Sequence, residues 1–245
     1  MKYAVYVEGQ SEMYFVADVL QKYSNYDPVQ CGFKCICLQS DMLKEIGHPQ
    51  QGDDSSQNYY QIVNVNNDNK VISKLNKDIP NLIHKGFDII IGLKDVYGQA
   101  YKELVGVRKV LLDKVEELYQ IQLDSINAHG ADFRLHFAIM EYETWMLALI
   151  EKFVTSKSGN LTGLCHELNI DLSHDIEKTI YHPYVIVRKI YEGLALDYDK
   201  HEKDTFSFLN TLTIEDYEAL RISNKCPSFT KFLDGLLGGA KPVLP

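Results

Sequence analysis

One nearly uninterrupted apolar run, FDIIIGL at residues 87–93, constrains the fold more than any other part of the chain. A run of this length without polar alternation is typical of a parallel strand that is covered on both faces. A second run, YAVYV at residues 3–7, is followed by the amphipathic pattern SEMYFVADVLQKYS, which predicts a helix directly after a strand. Together these runs predict an α/β fold.

The remaining predicted elements continue this alternation of strands and helices. Residues 47–70 are polar and rich in turn formers, and they predict a long excursion with a short hairpin through YYQIVNV. Residues 70–85 predict a helix that Pro80 breaks or restarts, and residues 99–128 predict a longer one. Further strands are predicted in VQCGFKCICLQ and DFRLHFAIMEYE, and a helix in ETWMLALIEKF. This order predicts a mostly parallel sheet with helices on both faces.

The pattern changes after residue 152. Short helical segments replace the alternation of strands and helices: LTGLCHEL, PYVIVRKIYEGLAL, DTFSFLNTL and CPSFTKFLDGLL. The sequence has no internal repeat, no low-complexity tract and no evident linker at this point. We therefore expect an α/β core over residues 1–152 and a helical C-terminal extension over residues 153–245 that packs on this core.

The charge balance limits the ways in which the protein can bind nucleic acid. The chain has 34 acidic and 25 basic residues, which gives a formal net charge of −9. Binding by phosphate neutralisation alone usually requires a basic surface, so a passive nucleic-acid-coating protein is disfavoured. Clustered carboxylates that hold a divalent metal ion can still engage phosphates, because the ion supplies the positive charge. A metal-dependent phosphodiesterase remains open.

The five cysteines indicate a reducing compartment. Their odd number and the absence of a signal-peptide pattern predict a cytoplasmic protein. Cys31, Cys35 and Cys37 do not follow a zinc-site spacing, and we interpret them as core thiols. No apolar run approaches ~20 residues, so the sequence predicts no membrane span.

Acidic residues follow three of the predicted strands. Glu8 follows YAVYV, Asp95 follows DIIIGLK, and Glu141 and Glu143 follow LHFAIM. The carboxyl ends of parallel strands meet at one edge of a sheet, where ligands bind. Oxygen-only ligand sets suit Mg²⁺ or Mn²⁺, so these four residues are candidate metal ligands. Each acid alone is also compatible with a solvated strand end.

Basic and aromatic residues supply candidate contacts to a phosphate chain. Lys94 lies beside Asp95 and could meet a phosphate oxygen, although an exposed lysine at a strand end explains it equally well. The C-terminal part holds further candidates, which could line a nucleic-acid groove or form an ordinary solvated basic face. These candidates are Arg188, Lys200 and Lys203, with His182, His201, Tyr184 and Tyr198 beside them.

Four of these stretches carry a family resemblance. YVEGQSEMYFV resembles the first motif of the TOPRIM fold, the metal-binding domain of topoisomerases, bacterial primases and the overcoming-lysogenization-defect nucleases. KDVYGQ, EYETWML and NKCPSFTKFLDGL resemble stretches of the bacterial TOPRIM-related family 4276 of unknown function. The resemblance implies a TOPRIM-like sheet and Mg²⁺-dependent cleavage of nucleic acid, and by analogy a role in phage defence beside a separate ATPase partner.

The resemblance also implies roles for individual residues. Glu8 matches the acid that acts as metal ligand or general base, with Glu12 as the acid that opens the following helix. Asp95 matches the first aspartate of the second motif. Tyr97 occupies the position of the second aspartate, so Glu141 or Glu143 would have to replace the missing ligand, with Glu141 favoured.

Two other functions are compatible with the sequence. Tyr97 and the acidic composition favour a catalytically inactive regulatory or partner-binding module that kept the fold. A nucleotidyl transferase of primase type is a remoter alternative, since it would need a nucleotide-binding surface that the sequence does not reveal. The absence of G-x-x-x-x-G-K-[ST] argues against ATP hydrolysis by a P-loop in this chain.

Overall fold

The computed structural model describes residues 1–40, 42–66 and 70–238. They form two compact units. The first contains residues 1–94 and 119–137 together with the described residues from Asp234 onward, and the second contains residues 95–118 and 138–233. The domain boundary expected at residue 152 stays a prediction.

Six strands of the described residues form one sheet, in the order β3-β2-β4-β1-β5-β6. β1 pairs in parallel with β4 and β5, and β2 pairs in parallel with β4 and antiparallel with β3. The predicted α/β class with a mostly parallel sheet is confirmed. The strands are β1 (Lys2–Val7), β2 (Cys31–Gln39), β3 (Met42–Gln51), β4 (Asn58–Asn64), β5 (Ile89–Asp95) and β6 (Asp132–Ala138).

The described residues also form ten helices. Those in the first half of the chain are α1 (Gln10–Tyr23), α2 (Lys70–His84), α3 (Gln99–Val105) and α4 (Leu112–Asp124). Those in the second half are α5 (Glu143–Ser156), α6 (Leu161–Leu168), α7 (Pro183–Gly193), α8 (Glu202–Leu209), α9 (Ile214–Ile222) and α10 (Pro227–Leu237). None of the helices in the described ranges has both the length and the apolarity that a membrane crossing needs.

The predicted excursion over residues 47–70 is wrong, because this segment contributes to the sheet. The end of β3 pairs with β2, and β4 lies between β1 and β2 as a parallel strand rather than as a hairpin arm. Most residues of β3 are exposed at the sheet edge, so its sequence lacks an apolar pattern. Gln61 and Asn64 interrupt the apolar pattern of β4.

Two helix predictions also need correction. α2 continues through Pro80 although an interior proline costs about 3 kcal/mol, and a stripe of buried apolar side chains offsets this cost. The helix expected over residues 99–128 is divided into α3 and α4. Gly106 ends α3 in a left-handed conformation with φ +67°, and its N–H donates to the Lys102 carbonyl.

Helix α9 was not predicted, and its start shows why. Its periodicity is short, with only Tyr217 and Leu220 buried. A local capping interaction fixes the first turn, since the Asp216 carboxylate accepts the Thr213 N–H at 2.8 Å. The helix propensity of only nine residues gives little signal in the sequence, and the capping interaction at Thr213 determines where α9 begins.

The first unit is built around both faces of the sheet. Val71, Leu75 and Ile79 of α2 pack over one face, where they bury Ala4 and Tyr6 of β1. α1 contacts β1, β2 and β4. The predicted core thiols Cys31, Cys35 and Cys37 are buried free cysteines. Burial of these continuous apolar surfaces holds the strand ends in place.

The second unit packs around α5. Trp145 is fully buried and stacks on Phe232 with ring centroids 5.3 Å apart. About two turns further along α5, the ring of Phe153 stacks on the ring of Tyr191 of α7, with the ring centroids 4.6 Å apart. These aromatic contacts fix α5 and α7, whose first turns carry the polar groups described next.

Candidate functional site

Glu8 and Lys94 form a buried ion pair within the first unit. Glu8 follows β1 directly and is 5% exposed, and Lys94 lies in β5 and is 7% exposed. The Nζ atom of Lys94 lies 3.6 Å from Oε1 of Glu8. Two residues that the sequence marked as catalytic therefore contact each other, and the lysine supplies a positive charge at the end of β1.

The glycine after Glu8 makes room for Glu12. A β-carbon placed on Gly9 would lie 2.7 Å from Oε2 of Glu12, so this carboxylate folds back over the glycine. Gly9 is the N-cap of α1, and an acid in the first turn favours the positive end of the helix dipole. Glu12 is buried at this position, and we interpret it as a residue that stabilises the start of α1.

In the second unit, Asp95 and Glu141 each bind the first turn of a helix. Oδ1 of Asp95 accepts the N–H of Tyr142, which precedes α5, at 2.9 Å. Oε2 of Glu141 accepts the N–H of Tyr184, in the first turn of α7, also at 2.9 Å. Both predicted metal ligands thus satisfy backbone donors that a helix start leaves unpaired.

Glu143 is the most buried of the predicted metal ligands, with no exposed surface. Its Oε1 accepts the hydroxyl of Tyr198 at 2.9 Å and pairs with Nζ of Lys200 at 2.8 Å. Its Oε2 is buried and has no hydrogen-bond partner within the residues that the structure describes. A buried carboxylate oxygen without a partner is costly, and such groups concentrate at functional sites.

Lys200 provides a cation to this carboxylate cluster. Although burial opposes its charge, Glu143, followed by Asp95 and Glu141, raises the pKa of Lys200. About 40% of its side chain is exposed, and its ammonium group contacts Glu143 of the cluster. The backbone of Lys200 is left-handed, with φ +58°, a conformation that a non-glycine residue adopts at a cost on the order of 1 kcal/mol.

Glu141 responds to the same charges. Burial and the nearby Glu143 carboxylate raise its pKa, whereas the Tyr184 N–H, Lys200 and Lys102 act in the opposite direction. Met140, which precedes it, is also left-handed, with φ +64°. The cluster therefore combines like-charge repulsion, burial and local backbone strain, features that accompany binding or catalytic sites.

Tyr97 lies in a group of rings and cations in the second unit. Its ring meets that of Tyr181 at 5.4 Å and that of His182 at 5.2 Å, both edge-on. The Nζ atom of Lys102 lies 4.2 Å from the Tyr97 ring centroid. Burial, Arg108 and Lys102 lower the pKa of His182. Tyr97 thus supplies a half-buried aromatic surface at the position where the resemblance implied an acid.

The predicted nucleic-acid-binding residues lie in different surroundings. Arg188 is exposed on α7 and pairs with Glu192 of the same helix at 3.2 Å, and Lys203 is exposed on α8. Lys200 pairs with Glu143. Tyr198 is only 1% exposed, so the expectation that it offers a stacking surface is wrong, because its ring packs in the core.

The structure divides the predicted metal ligands between the units. Glu8 lies in the first unit, and Asp95, Glu141 and Glu143 lie in the second, so the convergence of all four stays a prediction. Among the described residues, no three His, Cys, Asp or Glu side chains are placed to hold one metal ion.

The topology and these side chains define an α/β protein whose second unit carries a buried carboxylate–lysine cluster. The chain belongs to the family described as Domain of unknown function (DUF4276), whose model matches residues 7–237. The expected membership of this family is confirmed. No curated protein and no solved structure matches the chain.

Sequence reasoning missed the cations nearest to Tyr97. Lys102 and Arg108 follow it within eleven residues, and the basic character of YKELVGVRK was the available signal. No sequence signal indicated Tyr181, which reaches Tyr97 through the fold of the second unit.

Proposed function

We propose that the protein is a Mg²⁺-dependent phosphodiesterase that acts on nucleic acid. The observation that carries this proposal is the environment of Glu143: a fully buried carboxylate with one oxygen on Lys200 and the other without a partner among the described residues. Buried polar side-chain atoms are paired in the large majority of cases. A site that handles a charged substrate explains the arrangement better.

The donor set fits Mg²⁺ in a particular way. Mg²⁺ is often bound through one or two carboxylates, with water and substrate phosphates completing its shell. The unpartnered Oε2 of Glu143 is a hard anionic oxygen of the required kind. The lack of a three-ligand set among the described residues is then expected, since the substrate would contribute ligands. Mn²⁺ would be accepted at the same oxygens.

The chain's own residues have distinct parts in this proposal. Hydrolysis forms a bond between a water oxygen and phosphorus and breaks the ester bond to the leaving oxygen, which keeps the electron pair of that bond and, in the net reaction, takes a proton from the attacking water. A bound Mg²⁺ would polarise the phosphoryl oxygens. Lys200, partly exposed and fixed on Glu143, is placed to meet a phosphate oxygen. Asp95 and Glu141 fix the starts of α5 and α7 around it.

Cleavage assays on labelled single- and double-stranded DNA and RNA test the proposal. We expect cleavage with Mg²⁺ or Mn²⁺ that EDTA abolishes. Glu143→Gln and Asp95→Asn should each lower the rate about a hundredfold or more, because each removes a charge from the site. Glu8→Gln tests the role that the family resemblance implies for this acid. The amide side chains retain an acceptor oxygen, so the helix starts should persist.

Glu192→Gln is the matched control, since Glu192 is an exposed carboxylate of the same unit that pairs with Arg188 on its own helix. It should cleave like the wild type. Circular dichroism would establish that each variant is folded. Cleavage that survives EDTA, or equal rates for the wild type and Glu143→Gln, would contradict the proposed site.

A regulatory or partner-binding module is the second candidate. It is favoured by the lysines themselves, because Lys94 pairs with Glu8 and Lys200 with Glu143, so amino groups already neutralise these carboxylates. Calorimetry with Mn²⁺ in the presence of a non-cleavable oligonucleotide separates the two candidates. Metal binding that requires the oligonucleotide supports the enzyme, and no metal binding at millimolar concentration supports the module.

The remaining expectations belong to the same proposal. The Glu-Gly step after β1 and the aspartate that ends β5 support a TOPRIM-like fold. Phage defence, a separate ATPase partner and a cytoplasmic location stay predictions from the sequence and its resemblance. A primase-type nucleotidyl transferase gains no support from the described side chains.

A further inference from the structure

We infer that Tyr97, Tyr181 and His182 form a stacking platform that, with Lys102 and Arg108, binds single-stranded nucleic acid beside the carboxylate cluster. We call these three rings the platform. The inference rests on the proposed function, because it names the substrate class of the same site. It also gives a role to Tyr97, which occupies the position of the second aspartate in the TOPRIM motif.

The three rings touch one another without being buried. Tyr181 and His182 meet edge to face at 4.5 Å, and Tyr97 meets both of them at just over 5 Å. All three are half-buried, so each is supported by its neighbours and keeps accessible surface. Pre-ordered aromatic surface is suitable for stacking, because little side-chain freedom is lost when a base binds.

Cations surround the platform. Nζ of Lys102 lies over the Tyr97 ring, and both Lys102 and Arg108 influence the ionisation of His182. Lys102 and Arg108 are exposed, and no salt bridge to either is found among the described residues. Phosphates that follow a stacked base along a strand would find these charges nearby. Alternating rings and cations are the recurrent pattern of single-strand binding.

The platform adjoins the carboxylates through shared residues. Lys102, which covers Tyr97, also acts electrostatically on Glu141. Tyr184, two residues after His182, donates its N–H to Glu141. The Nζ atom of Lys200 lies 5.1 Å from the ring centroid of Tyr184. A strand stacked on the platform would therefore present a phosphate close to Lys200.

The chemistry favours a single strand over a duplex. In a duplex the base faces are stacked on each other and unavailable to side chains, whereas an unpaired strand exposes them. The overall charge of −9 disfavours broad phosphate contacts, so a small number of local cations must suffice. With two to three phosphates neutralised, the logarithm of affinity should fall with the logarithm of salt with a slope of about −1.4 to −2.

The test is fluorescence anisotropy in EDTA, where hydrolysis does not interfere. The probes are a labelled mixed-sequence 12-mer, the same sequence as a duplex, and an abasic 12-mer that keeps the phosphates. The wild type should bind the 12-mer at least about tenfold more tightly than either of the others. Tyr181→Ala should lose about tenfold for the 12-mer and nothing for the abasic strand. Lys102→Gln should weaken both and reduce the salt slope by about 0.7.

Tyr26→Ala and Lys189→Gln are the matched controls, since both residues are exposed and lie outside the platform, and both variants should bind like the wild type. Tyr181→Leu repeats the ring deletion with more of the side-chain volume kept, and Trp145 fluorescence reports whether each variant is folded. Equal affinity of the wild type for all three probes, or unchanged binding by both Tyr181 variants, would overturn the inference.

Cleavage assays separate this inference from the proposed function. If the protein cleaves nucleic acid without a preference for single strands, the platform is refuted and the phosphodiesterase stands. If the protein binds the 12-mer selectively through Tyr181 but never cleaves with Mg²⁺ or Mn²⁺, the platform stands and the phosphodiesterase is refuted.

Discussion

Glu177 should make the stability of the second unit depend on pH. Its side chain is 4% exposed and accepts the N–H of Ser228 at 3.0 Å, and Nε1 of Trp145 donates to Oγ of Ser228 at 2.9 Å. Burial raises the pKa of Glu177 to about 7, although the hydrogen bonds from Ser228 act in the opposite direction. The carboxyl therefore holds its proton more tightly in the folded chain than in the unfolded chain.

The sign and size of the effect follow from this difference. Between the ordinary pKa of 4.5 and about 7 the folded state binds more protons, so the free energy of unfolding falls as the pH rises through this window. Each unit corresponds to about 1.4 kcal/mol, so the loss should be on the order of 3 kcal/mol, complete above about pH 7. Glu177→Gln removes the titration and should remove this loss.

Urea unfolding at several pH values between about 5 and 8 measures the difference. The fluorescence of Trp145, the single tryptophan, reports on the same hydrogen-bonded group. We expect the wild type to lose 2–3 kcal/mol more than Glu177→Gln across this range, an order-of-magnitude figure from the linkage relation. Glu192→Gln, at an exposed carboxylate, should follow the wild type. Parallel curves for the wild type and Glu177→Gln would refute the argument that burial keeps this carboxyl protonated.

Two further predictions concern packing in the first unit, each measured by urea unfolding. Gly32→Ala should lower the free energy of unfolding by about 1–3 kcal/mol, because the added β-carbon would lie 2.4 Å from the backbone oxygen of Asp53. Gly47→Ala is the control and should lower it far less, since the space around Gly47 is open. Equal effects of the two substitutions would contradict the argument. Leu75→Ala should lower the free energy of unfolding by about 2–5 kcal/mol, because Leu75 is fully buried. Ile83 lies on the same helix and is 39% exposed, so Ile83→Ala should lower it clearly less. Similar losses for the two variants would show that α2 does not bury the apolar stripe described above.

The strongest predictions from sequence were the elements with continuous or periodic apolar patterns. β1, β5 and α5 lie where the sequence placed them, because both faces of these strands and one face of this helix must be buried in any fold that uses them. β3 was missed for the opposite reason, and the segment of β4 was interpreted as a short hairpin rather than as one strand of the sheet. β3 is mostly exposed at an edge, and β4 is identified as a central strand only by its pairing with β1 and β2.

The candidate site also has features that could be predicted from the sequence and features that could not. The positions of Asp95 and Glu141 at strand ends could be read from the sequence, since they follow directly from the apolar runs before them. Their contacts could not. Asp95 and Glu141 bind the starts of helices that lie 47 and 43 residues away, and local patterns carry no information on such partners.

The sequence by itself determined an α/β chain with acids after its strands, because hydrophobic periodicity and strand termini are local properties. Only the tertiary structure decided which charges meet. Lys200 forms an ion pair with Glu143, which lies 57 residues before it in the chain. Tyr198 is buried in the core, and the ring of Tyr97 contacts the ring of Tyr181. Contacts between distant residues depend on how the whole chain packs, and the energy of a buried charge depends on those contacts.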